Sequence, residues 1–123
     1  MVLTIPGQLD NLNDYTSACR SRSWQAGAGM KKKNELKIIK EINKQLQGQS
    51  ITGTAELHFK WYEPNRKRDL DNVCFAKKFI LDALVACHII ETDGWRGVRG
   101  FTDEFFVDAK NPRIEVEIIG STQ

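Results

Sequence analysis

From residue 54 to 62 the chain alternates apolar and polar positions without interruption. Ala55, Leu57, Phe59 and Trp61 fall on one side, Glu56, His58, Lys60 and Tyr62 on the other. Side chains alternate across a strand, so the pattern predicts a half-buried β-strand. The spacing changes on either side of it. Between residues 30 and 46, Leu36, Ile39, Ile42 and Leu46 recur at helical intervals among lysines, predicting an amphipathic helix that ends at Gly48. Between residues 72 and 87, a stripe of Val73, Ala76, Ile80, Ala83, Leu84 and Cys87 predicts a second helix. Residues 2–5 suit a short strand closed by Pro6-Gly7, and residues 8–28, polar and glycine-bearing, read as a long loop. After the Asp93-Gly94 turn signal come three β-type segments, 95–101, 105–107 and 113–119, the last alternating Ile114, Val116 and Ile118 with Glu115 and Glu117. The order β-α-β-α-β-β-β predicts an α+β fold, with two main helices packed in one layer on a mixed sheet. The 123 residues are read as one domain, 1–123, with no repeat and no linker.

The opening residues lack a basic n-region and a long apolar stretch, and the run 79–90 is broken by Asp82, so neither a signal peptide nor a membrane span is expected. Three cysteines without a C-x-x-C pair fit free thiols in a reducing compartment; the expected location is cytoplasmic. His58 and His88 belong to no ligand motif. The formal net charge is +2, but residues 16–48 hold eight basic side chains against two acids, and residues 101–123 hold two against five. A basic half suits a polyanionic partner; a solvated lysine-rich helix face produces the same count.

The chemistry concentrates in Arg66-Lys67-Arg68-Asp69-Leu70-Asp71. Were this segment extended, Asp69 and Asp71 would project to one side, their Cα atoms about 7 Å apart, with Leu70 turned to the core. Two carboxylates that close repel unless a cation lies between them, and hard oxygen donors suit Mg²⁺ or Mn²⁺. The plainer reading makes Asp71 or Asn72 a helix cap, and for D-x-D alone that role is the commoner. Seven residues on, Lys78 returns to the face of Asp71, with Asp82 four residues beyond it. An ammonium beside a metal carboxylate serves phosphodiester cleavage; beside Asp82 alone it is an ordinary surface pair. Lys77 points a quarter turn away and is the second candidate. Asp93 starts a turn before the C-terminal β segments. It would join the other acids if the following strand lay beside residues 63–71; otherwise Asp93-Gly94 is a hairpin turn.

The ordered set "RDLDN", "KKFILDAL", "ETDG" and "FTDEFFVDAKNPRIEVEI" resembles the RusA family of Holliday junction resolvases, as does "IPGQLDNLNDYTSACRSR" with Asn13 at the matching asparagine. The resemblance implies a homodimeric endodeoxyribonuclease, often of prophage origin. It would bind four-way DNA junctions and make paired symmetric nicks with Mg²⁺, for which Mn²⁺ could substitute. It implies no membrane and no small-molecule substrate. The family's essential acids fall on Asp69, Asp71 and Asp93, implied metal ligands, and its lysine on Lys78. Two departures stand out: the interval from D-x-D to "DAL" is about three residues longer than in some members, and Thr92-Asp93 replaces a frequent acidic pair. Arg20, Arg22, Lys31, Lys32, Lys33, Arg66, Lys67, Arg68, Arg96 and Arg99 are candidate phosphate contacts. Two other classes remain open: a non-cleaving DNA-binding or architectural protein whose acids only cap and pair, and a nuclease for flaps or forks.

Overall fold

The computed structural model describes residues 1–20 and 25–120. In chain order the elements are β1 (Val2–Pro6), α1 (Leu12–Cys19), α2 (Gln25–Gln45), β2 (Ala55–Glu63), α3 (Leu70–Cys74), α4 (Lys77–Ala86), β3 (Val98–Val107) and β4 (Arg113–Gly120). The strands form one mixed sheet in the order β1-β4-β2-β3. β4 runs antiparallel to both β1 and β2, whereas β2 and β3 are parallel and joined through α3 and α4. This is the expected α+β class.

The period-2 pattern of β2 decides which face is covered. Ala55, Leu57, Phe59 and Trp61 are all buried, in one core cluster with Ile38 and Ile42 of α2 and Phe79, Ile80, Ala83 and Leu84 of α4. Glu56, His58 and Tyr62 of the same strand are only half-buried, and Lys60 is exposed. α2 docks on the sheet edge through Gln45, whose amide nitrogen donates to the Thr4 carbonyl at 2.7 Å while its oxygen accepts from the Thr4 N–H at 2.8 Å. Its buried stripe is Asn34, Ile38 and Ile42, continued by Leu46; Leu36, assigned to the stripe by spacing, stands in solvent.

Within the expected loop 8–28, residues 12–19 and 25–28 are helical, belonging to α1 and α2. α1 has no fully buried residue and hence little periodicity to read, and it is set by its cap. The Asn11 side chain accepts from the Asp14 N–H at 2.8 Å and the Asp14 carboxylate accepts from the Asn11 N–H at 3.0 Å, a reciprocal capping box. Buried Asn34 ties this segment to α2, donating to Asp10 at 2.7 Å and accepting from the Asp10 N–H at 3.1 Å.

Three further expectations change. The helix expected over 72–87 is two helices with a break at Phe75-Ala76, where Tyr15 and Phe79 pack around the Phe75 ring. The segments 95–101 and 105–107 belong to one strand, β3. Asp93-Gly94 is not a hairpin turn, because the strand that follows runs parallel to β2 and is reached from α4. Among the described residues, no helix is long and apolar enough to cross a membrane.

Candidate active site

α3 starts at Asp69-Leu70-Asp71, and its geometry separates the roles of the two acids. Asp69 occupies the N-cap with an extended backbone (φ −67°, ψ 153°), yet its side chain makes no capping hydrogen bond. Its carbonyl accepts the Val73 N–H at 3.0 Å, so the helix begins without the carboxylate. Asp71 lies in the first turn and accepts the Asn72 N–H at 2.9 Å. Both side chains are exposed and neither forms an ion pair among the described residues. Because Leu70 is already helical, the two acids are not strand neighbours on a shared side. Positions two apart on a helix diverge by about 200°, and Leu70, expected in the core, is 58% exposed.

The adjacent lysines at the start of α4 have unlike surroundings. Lys77 turns onto the sheet, its Nζ 2.6 Å from the Asp103 carboxylate, 5.2 Å from the Phe59 ring centre and 4.8 Å from that of Phe101. Asp103 also accepts from the Trp61 indole N–H at 2.9 Å. Sequence reading missed this network; its signal was an acid between Phe101 and Phe105 on the inward side of a strand. Lys78 turns outward and bridges two acids, with Nζ 3.1 Å from both Asp82 and Asp93. Its contacts with the Asp82 carboxylate, then with that of Asp93, hold its ammonium above the usual lysine range.

Asp82 links this pair to α2. Burial pushes its carboxyl up, but the ammonium groups of Lys78, at 3.1 Å, and Lys31, at 3.2 Å, outweigh that and leave it below the ordinary aspartate value. Nearby Glu35 is shifted upward, first by burial and then by Asp82, against the opposing pull of Lys31. The Lys78–Asp93 contact thus rests on a charge network spanning α2, α4 and the turn before β3.

The basic candidates divide by partner. Arg68 is mostly buried, 3.3 Å from Glu63 and donating to the Leu9 carbonyl at 3.2 Å; Arg99 donates to the Thr54 carbonyl at 2.7 Å. Lys31 pairs with Asp82, Lys33 with Asp10 at 3.1 Å, and Arg96 with Glu91 at 3.4 Å. Arg20, Lys32, Arg66 and Lys67 are exposed and form no ion pair among the described residues; Arg22 lies outside the described residues. Beside Asp69, a groove of about 680 Å³ runs between Arg66 and the end of β3, with Leu70, Val73, Phe105 and Phe106 among its walls.

Carboxylate oxygens are the right donor type for Mg²⁺ or Mn²⁺. Among the described residues, however, no three His, Cys, Asp or Glu side chains converge closely enough to hold a metal, and the Asp93 carboxylate is occupied by Lys78. The donor chemistry fits; in this arrangement the three acids are not gathered.

The α+β domain thus presents two exposed acids at the start of α3 and, on α4, a lysine bridged to Asp82 and Asp93. The family comparison identifies its class: the model for endodeoxyribonuclease RusA matches residues 11–119, and the chain belongs to that family. The match runs from α1 through β4 and includes Asp69, Asp71, Lys78 and Asp93. No curated protein matches the chain significantly.

Proposed function

We propose that the protein is a divalent-metal-dependent endodeoxyribonuclease that resolves four-way DNA junctions by paired nicks, acting as a two-fold dimer. Asp69, Asp71 and Asp93 are the metal-binding carboxylates and Lys78 is the catalytic lysine. The observation carrying this reading is the Lys78–Asp93 contact at 3.1 Å, which joins a helix to the turn before β3 within the span matched by the family. A bound Mg²⁺ or Mn²⁺ supplies Lewis-acid polarisation of the phosphate and an activated water. Lys78 keeps positive charge at the site, available to phosphoryl oxygens as negative charge develops. Asp82 tethers the ammonium even when Asp93 engages another ligand. Arg20, Lys32, Arg66 and Lys67 have the freedom to meet backbone phosphates, which position the DNA and do not read its sequence. Two symmetric nicks need two sites related by a dyad, which a C2 dimer supplies. Three free thiols fit work in the cytoplasm.

One observation favours a second reading, a non-cleaving junction-binding protein: the acids are not gathered among the described residues. Asp71→Asn separates the two. With a synthetic four-way junction in Mg²⁺, the nuclease reading expects wild-type nicking, its loss in Asp71→Asn, and retained binding. Wild-type protein that binds the junction without nicking it in Mg²⁺ or Mn²⁺ establishes the second reading. Equal nicking of flaps and junctions removes the junction assignment alone.

A further inference from the structure

The turn between α4 and β3 carries a side chain that the proposed chemistry does not use. Trp95 is 96% exposed, while Trp61 is buried in the core. The other exposed aromatics among the described residues have ring partners: Phe101 packs against Phe59 at 6.1 Å and Phe106 stacks on Tyr62 at 4.8 Å. Among the described residues Trp95 has none.

Its support is fixed. The N–H groups of Gly97 and Val98 both donate to the Gly94 carbonyl at 3.0 Å, and the Gly94 N–H donates to the Thr92 hydroxyl at 3.2 Å. A Cβ at Gly97 would stand 1.9 Å from the Thr92 carbonyl oxygen, so the turn closes only with glycine there. The Gly97 carbonyl accepts from the Ala55 N–H at 2.8 Å and joins the turn to β2, while Asp93 joins it to Lys78. A tryptophan exposes a large apolar face, and here that face is held in water on a hydrogen-bonded turn, two residues from Asp93.

We infer that Trp95 reads the opened centre of branched DNA, stacking its indole on a base that has left the helical stack. The inference rests on the proposed junction nuclease and deepens it. The cations at this turn, Arg96 (84% exposed) and Lys78, are paired with Glu91 and with Asp82 and Asp93, so they meet backbone phosphate by exchanging those partners. In intact duplex the base faces are covered by their neighbours, so an aromatic gains a stacking partner only where bases are unstacked or single-stranded. A second copy of the chain fits this turn poorly. Interface centres are depleted of charge, whereas Trp95 stands alone among Glu91, Asp93 and Arg96. Among the described residues, exposed Leu70, Phe106 and Val107 instead share the walls of the groove beside Asp69.

The test measures affinity for an immobile four-way junction and for linear duplex of equal length. Asp71→Asn protein is compared with the same protein carrying Trp95→Ala or Trp95→Phe. Loss of one base–aromatic stack weakens junction binding by roughly 5- to 150-fold per site. Duplex affinity, oligomeric state and thermal midpoint should not move, and Trp95→Phe should recover most of the loss. A junction preference that survives Trp95→Ala overturns the inference and leaves the proposed function standing. A change in oligomeric state overturns it by assigning Trp95 to a protein contact. Parent protein with no preference for junction over duplex overturns the inference together with the junction reading.

Discussion

Lys77 and Lys78 are adjacent in sequence, yet the structure assigns them opposite sensitivities. Replacing Lys77 with Met keeps most of the aliphatic stem but leaves Asp103 without its cation. Removing one partner of a buried pair costs about 3–5 kcal/mol. Here the two side chains retain 18% and 24% exposure and Asp103 keeps its hydrogen bond from Trp61, so the expected loss is smaller, about 2–3 kcal/mol. At about 4 °C per kcal/mol for a domain of this size, the melting midpoint falls by about 8–12 °C. Lys78→Met removes an ammonium that is 55% exposed, and an exposed pair contributes at most about 1 kcal/mol. Its loss should appear in chemistry instead: removing one pre-positioned charge from a phosphoryl transition state lowers the rate about 10²- to 10³-fold. Urea unfolding and single-turnover nicking of a junction, both well below the lower midpoint, read the two quantities separately. The reasoning fails if Lys78→Met nicks at the wild-type rate. It also fails if Lys77→Met keeps full stability while losing activity.

Other consequences are as direct. Asp82 titrates below its unfolded value near 3.9, so its pairs stabilise the fold above that pH and are lost as pH falls through the depressed native value; Asp82→Asn should flatten this acid limb of a stability–pH curve. Gly97→Ala drives a methyl into the Thr92 carbonyl and should cost about 1–3 kcal/mol in urea unfolding and disturb nicking through Asp93. Gly94→Ala, whose added methyl meets the Thr92 hydroxyl at 3.7 Å, should change little. Junction affinity should fall steeply with salt, and Arg66→Gln/Lys67→Gln should reduce the slope of log affinity against log salt by about 2 per protomer; an unchanged slope removes these residues from the phosphate contacts.

The sheet was legible where burial is one-sided. β2 and β4 alternate in sequence because one face meets helices, and their inward residues are those the pattern named. α1 was illegible to periodicity because it buries no residue fully and depends on the Asn11–Asp14 cap. The break at Phe75-Ala76 hid within an apolar stripe that both helices share, since Val73, Ala76 and Ile80 are buried on either side of it. At the site, the α4 spacing anticipated Lys78 beside Asp82, while the contact with Asp93 needed the chain to pass from α4 to a parallel strand. The D-x-D geometry was misread because two residues determine a helix start only through the backbone around them. Asp69 holds the cap position and leaves its carboxylate free.

Mapped cleavage of a four-way junction tests the central claim most directly. Wild-type protein is compared with Asp69→Asn, Asp71→Asn and Asp93→Asn variants across Mg²⁺, Mn²⁺ and chelator. The account predicts paired nicks at symmetric positions, dependent on the cation and lost in each variant while binding persists. Nicking that continues undiminished in chelator, or in the Asp93→Asn variant, would contradict it.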